Sequence, residues 1–269
     1  MKQLIEDYIL GKTITKIALS NNISRPTIRK ILRNNNIYGK RKIQPNFRKY
    51  KCDENYFNII DCSNKAYWLG FIAADGYIQK NNKRLTIELH IKDMSHLNNF
   101  IKDIKSNHPI KKKIIKNHYN QNNTLKKDYY YHCIVQIWGP LLVKNIVKYG
   151  ITNNKSLSLN FPSNIPEQFV NNFMLGYFDG DGGWTKSKRK NKNDQLLFRV
   201  IGSPPFIKTY QQILMQNCDL NKTKLQSEGK ACSLQYGGNK QCKRIYNYLY
   251  SNSIIYLSRK KDIAKSILL

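Results

Sequence analysis

Residues 67–78 read YWLGFIAADGYI, and residues 173–184 read FMLGYFDGDGGW. Each is an apolar stretch with small residues four apart, Gly70/Ala74 in the first and Gly176/Gly180 in the second, and each closes on Asp-Gly. Four-residue spacing puts the small residues on one face of a helix, where two such helices can pack backbone to backbone. Asp75 and Asp181 then stand at helix C-termini, where the carbonyl ends already carry partial negative charge and acids are disfavoured. The glycine after each fits the left-handed residue that closes a helix. An acid placed against stability, twice, at matched positions, points to a chemical task. Packed about a pseudo-two-fold axis, the helices bring both carboxylates to one end, beside the carbonyls of Ala74 and Gly180. Such an oxygen-rich set suits Mg²⁺ (or Mn²⁺), which keeps its waters and binds phosphates, and two-metal phosphodiester hydrolysis needs a clamp of this kind.

Working outward, the repeat extends past the motif. Arg84 to Lys92 alternates: Leu85, Ile87, Leu89 and Ile91 face one way, and Arg84, Thr86, Glu88, His90 and Lys92 the other. That is a strand with one buried and one wet face. Asp93 is expected to cap a following helix that carries Leu97, Ile101 and Ile104. Strands near 110–117 and 129–138 come next, then a helix over 141–149 stopped by Gly150. The second copy keeps the order: strands near 183–188 and 196–202, a helix opened by Ser203-Pro-Pro, strands near 222–227 and 231–236, and a helix over about 239–250. The chain from 61 to 269 is thus expected to be α+β, two pseudo-symmetric αββαββα units at 61–160 and 161–269.

Ahead of them, residues 1–38 read as three short helices forming a helix-turn-helix domain. Ser24 caps the third, Pro26 lies in its first turn, and Ile28, Ile31 and Leu32 recur at helical spacing. Arg25, Thr27, Arg29, Lys30 and Arg33 fall on its outer side, where a recognition helix meets the major groove. Residues 39–60 are expected to be a basic linker; 39–51 hold six Lys and Arg and no acid.

Charge names the class of partner. The chain of 269 residues has 46 Lys and Arg against 17 Asp and Glu, a formal net charge of +29. So much self-repulsion calls for a polyanion. The wet strand residues, with Arg199 in the second unit, are candidates to read base edges in the major groove. Lys186, Lys188, Arg189, Lys190 and Lys192, and the run Lys111–Lys113, are candidates to grip phosphates. The six cysteines form no CxxC pair, so reduced, buried thiols in a cytosolic protein are expected rather than a zinc module. No stretch approaches a membrane span, and the N-terminus lacks a signal-peptide pattern.

WLGFIAADG at 68–76 and MLGYFDGDG at 174–182 resemble two copies of the LAGLIDADG motif of homing endonucleases, a resemblance that covers roughly 61–269. Gly70, Gly76, Gly176, Gly182, Asp75 and Asp181 match the motif's fixed positions, while Ala73 stands where the motif name has its earlier Asp. The resemblance implies saddle-shaped antiparallel sheets over a long, asymmetric double-stranded DNA site, read by a monomer. It implies that Asp75 and Asp181 bind divalent metal, and that each cuts one strand. It also implies a basic residue past the last helix of each unit that acts on the water network or the phosphate. Lys155 and Lys260 are the candidates, 155 − 75 = 80 and 260 − 181 = 79 residues beyond their acids, with Arg259 and Lys261 as neighbours that a one-residue shift would select. The resemblance admits two other activities on the same fold: an intron RNA maturase, and a DNA-binding regulator that does not cut. Retention of both acids favours the nuclease, a mobile, intron-homing enzyme of the cytoplasm (nucleoid or phage-infected cell) or of an organelle matrix.

Overall fold

A computed structural model of the chain describes residues 2–39, 48–117, 128–189 and 192–268. Residues 40–47 of the basic run and Lys190 lie outside the described residues, and of Lys188, Arg189 and Lys192 only the backbone course is described. Two compact units, 1–49 and 50–269, each hold their own core.

The first unit is three helices: α1 (Lys2–Ile9), α2 (Ile14–Asn21) and α3 (Arg25–Asn34). Thr13 caps α2, its hydroxyl accepting from the Lys16 amide at 3.2 Å, and Ser24 caps α3, accepting from the Thr27 amide at 3.3 Å. Asn22 takes the left-handed conformation (φ 51°) that turns the chain between them, a conformation asparagine tolerates. Leu4, Tyr8, Ile17, Ala18, Ile28 and Leu32 form the core.

The second unit repeats one order twice. The first half runs α4 (Ser63–Asp75), β1 (Gly76–Ile78), β2 (Arg84–His90), α5 (Met94–Asp103), β3 (Ile110–Asn117), β4 (Asp128–Trp138), α6 (Pro140–Val147). The second runs α7 (Val170–Asp181), β5 (Gly182–Arg189), β6 (Lys192–Gly202), α8 (Pro204–Cys218), β7 (Gln226–Glu228), β8 (Ala231–Gly237), α9 (Asn239–Tyr250). Each half is αββαββα, with an antiparallel sheet ordered β1-β2-β4-β3 or β5-β6-β8-β7. A further helix, α10 (Ser258–Leu268), follows; the polar run Ser-Arg-Lys-Lys that opens it hides its apolar side, Ala264 and Leu268. No described helix is long and apolar enough to cross a membrane. The six cysteines are unpaired, four of them buried.

Three local expectations are corrected. Residues 50–60 are not linker: Tyr56, Phe57 and Ile60 are buried in the core. The Asp53 amide donates to the Ile104 carbonyl at 2.8 Å, and the Glu54 carboxylate accepts from the Leu141 amide at 2.8 Å. Gly76 and Gly182 are not left-handed; their φ values are −77° and −117°. Each helix runs straight into a strand, and glycine is needed because a Cβ would strike Ile72 or Phe178 in the turn before. Lys92 leaves the wet face of β2, because the chain coils into a 3-10 turn at Ile91–Asp93, and Asp93 makes no side-chain cap on α5.

Candidate functional site

α4 and α7 pack along each other through the centre of the second unit. A Cβ on Gly70 would fall on the Phe173 carbonyl, one on Gly176 on the Tyr67 carbonyl, and one on Gly180 on the Ala74 side chain. Small residues four apart therefore bring two backbones into contact, and their C-terminal ends meet on one side.

Asp75 and Asp181 stand at those ends, both open to solvent. The Asp75 carboxyl carbon lies 3.4 Å from the position a Cβ on Gly180 would take. Packed protein around the helix ends strips hydration from Asp75, and the Asp181 charge adds to this, pushing its pKa up to about 6. Asp181 is raised too, by lost hydration, with Lys155, Lys260 and a hydrogen bond from Tyr177 acting the other way. Two neighbouring carboxylates with raised pKa values form a local sink for positive charge.

Two lysines supply part of that charge. The Lys155 ammonium, buried, donates to the Ala74 carbonyl at 3.1 Å and the Gly76 carbonyl at 2.5 Å. The Lys260 ammonium, also buried, donates to the carbonyls of Phe178 (2.9 Å), Asp179 (2.5 Å), Gly180 (3.4 Å) and Gly182 (2.6 Å). Each closes the end of one motif helix, where carbonyls lack helical partners and the dipole favours a cation. Burial lowers the pKa of both, that of Lys260 to about 8. The neighbours of Lys260 are engaged elsewhere: Arg259 grips Asp93, and the Lys261 ammonium lies 3.6 Å from the centre of the Tyr256 ring.

One network went unread in the sequence. Asp179, in the motif's earlier acid position, is buried and accepts from the Tyr67 hydroxyl at 2.7 Å and the Leu257 amide at 2.8 Å. Tyr67 also contacts the buried His96 ring nitrogen at 2.9 Å. The first copy has Ala73 in that position, so the network is one-sided. A buried acid on an otherwise apolar helix was the signal available.

The sheets present polar faces away from the core. Register puts Arg84, Thr86, Glu88 and His90 opposite Trp138, Gln136, Ile134 and His132, with Tyr77 opposite Thr86. Lys111 and Lys113 share this face, while Lys112 pairs with buried Cys133 on the other. Glu88 binds Lys113 at 3.2 Å and His132 at 3.1 Å. In the second sheet Arg199 pairs with Gly183 and Gln235, and its guanidinium binds Glu228 at 2.5 Å. Lys186 lies within β5, paired with Leu196 of β6, and is exposed. In the N-terminal unit Arg25, Thr27, Arg29, Lys30 and Arg33 are all exposed on α3, Thr27 sharing a hydroxyl contact of 2.8 Å with Ser24.

No protein-family model matches the chain, and no curated protein does. Solved structures do. The meganuclease I-SmaMI, a LAGLIDADG homing endonuclease, bound to uncleaveable DNA, is 15% identical with a TM-score of 0.51, over 76% of this chain and 90% of its own. The LAGLIDADG homing endonuclease I-LtrWI on its target DNA is 12% identical with a TM-score of 0.49, over 80% and 90%. The LAGLIDADG meganuclease I-AabMI on uncleaved DNA is 16% identical with a TM-score of 0.48, over 75% and 89%. Over about three quarters of its length, then, this chain has the LAGLIDADG homing-endonuclease fold.

Proposed function

We propose that the protein is a site-specific double-strand DNA endonuclease that hydrolyses phosphodiesters with a divalent metal. The observation that carries this reading is the meeting of Asp75 and Asp181 at the joined ends of α4 and α7, with their pKa values raised. The donors fit Mg²⁺ or Mn²⁺: two carboxylates, and the carbonyls of Ala74 and Gly180, which each accept a lysine and keep a second lone pair. Mg²⁺ held through one or two carboxylates ordinarily keeps several waters and takes phosphate oxygens. Such an ion, when bound, makes a water nucleophilic and offsets charge on the phosphate.

The chain's own residues do the rest. Asp75 and Asp181 hold the positive charge where two scissile phosphates meet the protein, one for each strand. Lys155 and Lys260 hold the helix ends that present those acids and set a positive field beside the reacting phosphates. The polar faces of the sheets read base edges through Arg84, Thr86, Glu88, His90 and Arg199, joined by Tyr77, His132, Gln136 and Trp138. Lys111 and Lys113 grip phosphates, and Lys92, Lys186, Lys188 and Arg189 add to the positive field. Arg25, Thr27, Arg29, Lys30 and Arg33 on α3 form a separate reader in the major groove. The experiment is cleavage, in Mg²⁺ and in EDTA, of the DNA that flanks the gene with the gene removed. Staggered cuts in Mg²⁺ alone support the reading; intact DNA with tight binding turns it to a regulator, and binding of intron RNA to a maturase.

A further inference from the structure

The C-terminal segment that carries Lys260 is tied down by two acids from outside it. Asp179 on α7 accepts the Leu257 amide at 2.8 Å. Asp93, in the 3-10 turn that follows β2 in the first half, accepts three hydrogen bonds from Arg259: two from Nε at 2.9 and 3.1 Å and one from Nη2 at 2.9 Å. Asp93 is buried while the Arg259 side chain is half exposed. Among the described residues this is the one ion pair that joins the two halves. The residue next to Arg259 is Lys260, whose ammonium closes the end of α7 beside Asp181. Nothing equivalent serves Lys155: its neighbours Asn154 and Ser156 are uncharged, and it rides on a short 3-10 turn.

Resting on the nuclease reading above, we propose that Asp93 and Arg259 are positioning residues that set Lys260 on the end of α7. A residue of the first half thereby governs the half-site of the second. The bidentate fork fixes the guanidinium in plane and in direction, and with Leu257 held two residues earlier, the backbone between has little freedom. Lys260 is then delivered to four carbonyls at once. Without the fork, Asp93 keeps a buried, unpaired charge and the segment loses its outer tether. Misplacement by an ångström at a reacting centre is costly, and here it falls on one strand only.

The test uses the full chain and the variants Asp93→Asn, Asp93→Glu, Arg259→Gln and the exchange Asp93→Arg with Arg259→Asp. One readout is strand-resolved, with each DNA strand labelled separately and enzyme in excess. Asp93→Asn and Arg259→Gln are expected to slow the strand served by Asp181 by about 10-fold or more and to leave the other within about twofold. The exchange and Asp93→Glu are expected to recover part of the loss. The second readout needs no metal and no cleavage: acylation of individual lysines followed by mass spectrometry. Lys260 is expected to react about 10-fold faster relative to Lys155 in Asp93→Asn and Arg259→Gln, as local opening frees it. Equal slowing of both strands, or unchanged Lys260 reactivity in folded variants, overturns the proposal. If Asp93→Asn does not fold, Arg259→Gln removes the same pair from its solvent side. A wild-type chain that never cuts refutes the nuclease reading instead, and the labelling result still decides the positioning.

Discussion

Gly70 on α4 stands against the carbonyl oxygen of Phe173 on α7, and Gly176 repeats the contact against Tyr67. No side chain fits between the helices there, so the two acids stay together only while both positions lack a Cβ. Gly70→Ala or Gly176→Ala is expected to cost about 3 kcal/mol or more, the upper range for overpacking a core. Cleavage of both strands is expected to fail with it. Gly183→Ala, with nothing within 4 Å of its added methyl, is the control and should stay within about 0.5 kcal/mol. Chemical denaturation measures all three, and a stable Gly176→Ala chain would refute the packing argument.

Asp75→Asn and Asp181→Asn are each expected to abolish cutting of at least one strand and to leave DNA binding nearly intact. Loss of neither cut in Mg²⁺ would place the active site elsewhere.

The same substitutions carry a pH signature. The Asp75 carboxyl sits at about 6 in the folded protein against 3.8 for the free side chain, so the folded chain binds its proton more tightly than the unfolded one. Its contribution is therefore a cost, absent below about 4 and full above about 6. In EDTA, Asp75→Asn is expected to melt higher than wild type at pH 7 and equal to it near pH 4. A gain that is the same at both pH values contradicts the assignment.

Removal of residues 1–47 is expected to leave a folded, cutting chain with weaker binding, a shorter footprint and a shallower salt dependence. The core of 50–269 is complete in itself, and a tethered second reader raises affinity through effective concentration. Footprinting and binding at several salt concentrations measure it, and unchanged values would remove the N-terminal helices from DNA recognition.

Most of the elements were legible because their signals are local: alternation in 84–90, helical spacing in 25–34, the repeated Asp-Gly ends. What was hidden depends on partners far along the chain. Asp93 before α5 has the look of a cap, but Arg259, 166 residues away, takes its carboxylate. Residues 50–60 read as a continuation of the basic run before them, until the core takes in Tyr56 and Phe57. Lys186 reads as a loop cation, yet pairing with Leu196 carries strand β5 through it and leaves it exposed. The glycines after the acids look like helix stops, whereas crowding by Ile72 and Phe178 is what requires them. The spacing from acid to lysine was readable because the repeat preserves it, and Lys155 and Lys260 do reach matching helix ends.

Those lysines give the last expectation. Lys155→Met and Lys260→Met each remove an ammonium that closes a helix end beside a motif acid, and each is expected to slow the chemical step by about 10²-fold, the scale for one positioned charge. Affinity should barely change, since one phosphate contact among many contributes little. The Lys260 substitution removes four hydrogen bonds to carbonyls and the Lys155 substitution two, so Lys260→Met should also lower the melting temperature more. Burial holds Lys260 near 8, so its charge is lost as pH rises through about 8. The strand served by Asp181 should therefore slow above that pH in the wild type, and the fall should be missing in Lys260→Met. Single-turnover cleavage with saturating enzyme and strand-labelled DNA separates this from binding. If the saturated rates match wild type and only affinity falls, the two lysines are phosphate contacts and the chemistry does not depend on them.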